Sequence, residues 1–183
     1  MHVCAAARGY MFEIIVDKAL MAGGNFKLLH LDSGRTLQLQ LPPLPLHVAK
    51  RLEEVKGGGA STTAALWVPE RRSSWPVADL YVTLPHAVLS TEQLAQLGER
   101  EVAQALEHVR TFLVQTTVAA SHPIVAHQYK TQSDVLGTTM FVWAVPTDSE
   151  LKSSQRMVNG DGKVRELGVP LAHQFALLVS LAP

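Results

Sequence analysis

The sequence predicts an α+β fold: an antiparallel-rich β-sheet or sandwich carrying two amphipathic helices, at about 44–56 and 91–117. Three observations lead there. Ser90 and Gln93 have capping-box spacing, and behind them Val102, Leu106, Val109 and Leu113 recur at i, i+4, i+7 and i+11, one stripe of a helix. Asp32-Ser33-Gly34-Arg35 stands between two apolar runs as a hairpin turn. Runs of strand character outnumber the helical ones and do not alternate with them as βαβ units require.

In chain order, residues 1–9 read as a loose N-terminal segment. Tyr10 to Val16 reads as a buried strand from its β-branched and aromatic content. The hairpin follows, with Leu31 opposite Thr36. Phe26, Leu28 and His30 then share a face with Leu37, Leu39 and Leu41, while Leu29 and Leu31 point to a second face that is covered as well. Pro42, Pro43 and Pro45 open the first helix, striped by Leu44, Val48, Leu52 and Val55 and stopped by Gly57-Gly58-Gly59.

Thr62 to Val68 and Val77 to Leu84 read as strands. In the second, Leu80, Val82 and Leu84 alternate with Asp79, Tyr81 and Thr83, the pattern of a sheet wet on one side. The second helix runs to 117, with a leading turn or kink at Gly98, where Leu94 and Leu97 leave the main stripe. Ile124 to Tyr129 reads as a strand and Thr138 to Val145, apolar on both faces, as a central one. Asn159-Gly160-Asp161-Gly162 marks a polar hairpin, and Ala172 to Leu181 a last buried strand.

The 183 residues fit a single globular domain. Composition narrows the function classes. A hydrophobic share of 47% against 17% charged argues against disorder. No apolar run reaches the roughly 18 to 20 residues of a membrane span. Sixteen basic and sixteen acidic residues cancel, which gives no bulk attraction to nucleic acid or anionic lipid. The lone Cys4 and a start without the charged and apolar regions of a secretory signal predict a cytoplasmic protein.

No pattern of catalytic, cofactor or metal-binding residues stands out. His122 and His127 are five apart, which puts them on opposite faces of a strand and about 140° apart on a helix. Glu101, His108 and Gln115 fall on one helical stripe, but two turns separate the carboxylate from the imidazole. Asp32-Ser33-Gly34 resembles the Asp-Ser/Thr-Gly loop of aspartic proteases, yet it occurs once and is an ordinary turn sequence. Gly57-Gly58-Gly59 lacks the Gly-Lys-Ser/Thr ending of a phosphate loop.

These readings favour a non-enzymatic binding or assembly protein, acting through protein–protein contacts with a second copy or another protein and needing no cofactor. The expected interface residues are Arg71, Arg72, Trp75 and Trp143, with Trp67 and Phe141 as further aromatics. One alternative is a small hydrolase whose site draws on Asp32, His86, His108, His122, His127 and Asp134. The other is a nucleic-acid binder using Arg71, Arg72 and Trp75, with Arg156, Lys163 and Arg165 as a second basic spot.

Overall fold

The structure is a computed structural model that describes residues 5–59, 62–70, 77–119, 124–137, 139–151, 155, 157–158 and 174–180. Its frame is an α+β arrangement around one eight-stranded mixed sheet, four of whose seven strand pairs are antiparallel. In chain order the elements are α1 (Ala5–Ala22), β1 (Gly24–His30), β2 (Thr36–Leu41), β3 (Leu46–Ala49), α2 (Leu52–Gly59), β4 (Ala65–Pro69) and β5 (Leu80–Thr83). Then come α3 (Thr91–Leu97), α4 (Arg100–Leu106), β6 (Thr111–Thr116), β7 (Ile124–Val125), α5 (Ala126–Leu136), β8 (Met140–Pro146), β9 (Met157–Val158) and β10 (Gln174–Val179). The sheet order is β2-β1-β10-β8-β6-β5-β4-β3, and β7 pairs with β9 in a separate two-stranded ladder.

Helices cover both faces. On the first, Phe12, Val16 and Leu20 of α1, Leu94 and Leu97 of α3, and Val102 and Leu106 of α4 meet Phe26, Leu28, Leu39, Phe112, Val142 and Leu177 of the sheet. On the second, Val55 of α2 and Tyr129 of α5 meet Tyr81, Leu113, Phe141, Trp143 and Ala176. The inner strands are therefore apolar on both sides, as expected for β8, which lies fourth in the order and is buried at every position, whereas the edge strand β2 alternates buried leucines with exposed Thr36, Gln38 and Gln40.

The sheet curls. Only five residue steps join Leu41, the end of one edge strand, to Leu46, the start of the other, a reach of at most about 18 Å. A flat sheet of eight strands would hold its edges roughly 34 Å apart. The crossing chain runs on the α1 side: the Leu44 N–H donates to the Met21 carbonyl (3.1 Å), and Leu44 is buried in the first core. That face is the concave one, and α1 lies across it.

Several expected elements take another form. The helix expected at 91–117 is α3, α4 and β6. The capping box is present, but Gly98 (φ 72°) ends α3 with its N–H on the Ala95 carbonyl. The stripe is broken: Val102, Leu106 and Val109 join the first core, whereas Leu113 points to the opposite one. From Thr111 the chain pairs with β5 and β8, where β-branched Thr and Val pack better than in a helix.

The helix expected at 44–56 is the edge strand β3 followed by α2, and Gly57–Gly59 close that helix from within. The strand expected at Tyr10–Val16 lies inside α1, which also takes in residues 5–9 of the supposed loose end. Ile124–Val125 is a two-residue strand leading into α5, a helix the sequence reading missed. Two βαβ units are present, β3-α2-β4 and β6-α5-β8, each joining adjacent parallel strands. β5 is buried on both sides, not wet on one. The first hairpin is slipped by two, Leu29 and not Leu31 facing Thr36, a shift that preserves every residue's face. The polar hairpin expected at 159–162 lies outside the described residues.

Candidate functional site

Among the described residues the hydrolase pool does not assemble. Asp32 is exposed in the first hairpin, His108 is exposed just after α4, and His127 and Asp134 are exposed on α5, where Asp134 accepts from Lys130 Nζ at 2.6 Å. His122 lies outside the described residues. Glu101 is on α4 while Gln115 is on β6, where its Nε2 donates to Asp79 Oδ2 (2.8 Å). Among the described residues no group of three or more His, Cys, Asp or Glu is placed to hold a metal ion.

The hairpin holds a closer constellation than the sequence suggested. His30 Nδ1 is 2.8 Å from Ser33 Oγ, and His30 Nε2 is 3.9 Å from Asp32 Oδ2. The ring is fully buried against Phe175, centroids 4.9 Å apart. The neighbouring amides are engaged in the turn itself: Gly34 N–H donates to the His30 carbonyl, and Arg35 N–H to Ser33 Oγ. This is the chemistry of a locked turn, in which the Gly34 and Arg35 amides are already used.

Of the expected interface residues, Arg71, Arg72 and Trp75 lie outside the described residues, as do Arg156, Lys163 and Arg165. Trp143 is a correction. It is 1% exposed in the second core, with its indole N–H on Gln174 Oε1 at 2.9 Å, so it offers no surface. Phe141 is buried beside it, and Trp67 is half-buried under His47, with its N–H on Thr83 Oγ1.

Two surfaces stand out instead. One is the outer side of α1. Phe12, Val16 and Leu20 bury one stripe, yet Tyr10 (65% exposed), Met11 (59%), Ile14 (38%) and Met21 (39%) form a second on the solvent side. By helical geometry these four fall within about 100° of arc, which they share with the exposed Lys18. The hydrogen bond from Leu44 to Met21 ties the chain just ahead of edge strand β3, which carries the exposed Leu46 and Val48, to the end of that stripe.

The other is a groove of about 680 Å³ beside edge strand β2. Gln38, Leu39 and Gln40 form one wall, and the chain from His86 into α3 forms the other. Leu39, Val88, Leu89 and Leu94 make an apolar floor, while Glu92 and Glu107 are the carboxylates of a lining that has no lysine or arginine among the described residues. Gln93 ties the walls together. Its Oε1 accepts from Ser90 N–H (2.7 Å) within the capping box, and its Nε2 donates to the Gln38 carbonyl.

No family model, curated protein or solved structure matches the chain.

Proposed function

We propose that the protein is a non-enzymatic assembly protein of the cytoplasm that associates with a second copy of itself through the outer face of α1. The observation that carries this reading is the second apolar stripe. A helix lying on a sheet normally shows water its polar side, and several exposed apolar side chains gathered on the far side mark a contact surface. An isologous interface needs only a patch that complements itself, and Tyr10, Met11, Ile14 and Met21 supply aromatic and flexible thioether side chains suited to it. Among the described residues no helix is long and apolar enough to cross a membrane.

The test is Ile14→Glu, a charge placed on the outward stripe and away from the buried Phe12, Val16 and Leu20. Sedimentation of the wild-type chain is expected to show concentration-dependent mass, and the variant to weaken association by about tenfold or more with an unchanged melting temperature. A wild-type protein that stays monomeric at the highest attainable concentration ends the proposal.

A further inference from the structure

We infer that the groove beside β2 is a docking site for an extended peptide segment bearing basic side chains, which adds to the sheet as a further strand. The inference rests on where the backbone of β2 points. In the hairpin the His30 N–H donates to the Arg35 carbonyl, so Arg35 faces β1. The alternation of an antiparallel ladder then turns Leu37, Leu39 and Leu41 toward β1, and Thr36, Gln38 and Gln40 outward. The Gln93 amide, reaching the Gln38 carbonyl from the far side, has the direction this alternation requires.

The outward edge of β2 therefore faces the groove. Gln93 occupies the Gln38 carbonyl, which leaves the Gln38 N–H and both backbone groups of Gln40 to an incoming strand. Unpaired strand edges are where extended segments add, with main-chain bonds giving affinity and alternate side chains giving specificity. The groove volume suits such an occupant. The charge of its walls selects the partner's sign: among the described residues of the lining Glu92 and Glu107 stand without a lysine or arginine, so a segment presenting lysine or arginine is favoured over an acidic one. The apolar floor of Leu39, Val88, Leu89 and Leu94 receives the alternate, uncharged side chains. This surface is separate from the outer stripe of α1.

The experiment uses the full chain and three fluorescein-labelled hexapeptides read by anisotropy: alternating lysine and valine, alternating glutamate and valine, and the lysine–valine peptide N-methylated at alternate amides. The lysine–valine peptide is expected to bind, the other two at least tenfold more weakly, and Glu92→Gln with Glu107→Gln together to weaken binding threefold or more. In the protein, Gln40→Pro removes an outward N–H without touching the β1 ladder, so the fold is retained while binding falls at least tenfold. Ile14→Glu is expected to leave peptide binding unchanged. Failure of the lysine–valine peptide to bind, or equal binding of its N-methylated form, overturns the proposal whether or not Gln40→Pro folds. A dimer lost in Gln40→Pro but kept in Ile14→Glu assigns this edge to a second copy and also overturns it.

Discussion

Gln174 is a polar side chain held in the second core, and it stays there because every polar atom of its amide is used. Its Oε1 accepts from Trp143 Nε1 and from the Gln155 N–H, both at 2.9 Å, and its Nε2 donates to the Gln155 carbonyl at 2.9 Å. Its backbone carbonyl takes the Leu31 N–H (3.0 Å). One residue thus joins β10, β8, the hairpin and the chain around Gln155. Replacing it with leucine removes three interior hydrogen bonds, each worth about 1 kcal/mol, so Gln174→Leu is expected to lower stability by roughly 3 kcal/mol in urea denaturation. A similar economy explains Asp79, whose Oδ2 accepts from Gln115 Nε2, Thr116 N–H and Thr116 Oγ1 at 2.8, 2.8 and 2.6 Å and so fixes the start of β5 on the end of β6. Both networks explain why glutamines and a carboxylate sit among apolar strands. Neither was visible beforehand, because their side-chain hydrogen bonds span 19 to 37 positions in sequence.

At the scale of elements, the junction of α1 with β1 decides how the edges of the sheet approach. Gly23 has φ 68°, and a Cβ there would stand 2.5 Å from the Pro42 backbone carbon on the crossing chain. Gly34 has nearly the same φ, 69°, with open space around it. The pair separates two effects that usually come together. Gly34→Ala bears only the left-handed backbone, about 1 to 2 kcal/mol. Gly23→Ala adds a collision with rigid backbone, so its loss of stability is expected to exceed that of Gly34→Ala by about 1 kcal/mol or more, measured side by side in urea. Equal losses would mean that the crossing chain is not held against α1.

The helices of the first face show why element type was only partly legible. α3 was readable because capping is local: Ser90, Gln93 and Gly98 lie within one short stretch and carry the signal themselves. The main stripe misled because Val102, Leu106 and Val109 keep helical spacing up to the turn, and Leu113 continues it by coincidence from a strand. α1 was missed for the opposite reason. Apolar residues on both its buried and its outward side erase the 3.6-residue period, leaving Tyr-Met-Phe-Glu-Ile-Ile-Val to look like a strand.

Across the whole molecule, a sheet covered on both faces sets how folding responds to pH. Tyr81 is fully buried on β5, paired with Trp67 on one side and Leu113 on the other. Burial pushes its hydroxyl well above the ordinary tyrosine value of 10.0, the nearby Asp79 charge raises it further, and a hydrogen bond with Gln132 lowers it in part. A raised folded-state pKa means that the unfolded chain loses the proton first. The stability from keeping Tyr81 neutral is therefore complete below pH 10 and declines above it, with a limiting slope of about 1.4 kcal/mol per pH unit. Urea unfolding between pH 9 and 11 is expected to show this decline in the wild type and a shallower one, by up to one proton, in Tyr81→Phe. Identical slopes would place Tyr81 in water.

By itself the sequence determined the α+β class, the first hairpin with the correct faces, the capped start of α3, and the central, doubly buried character of β8. Each is encoded in neighbours or in a two-residue alternation, and burial patterning survives whatever the chain does elsewhere. Only the tertiary structure decided the strand order, the βαβ crossovers, the curl that brings β2 and β3 together, and the groove between β2 and the His86–Leu94 stretch. Those depend on which distant segments meet: Gln38 and Gln93 are 55 residues apart, and nothing in either stretch names the other. The physical reason is that periodicity fixes which side of an element is dry, whereas its neighbour is chosen by the packing of the assembled core.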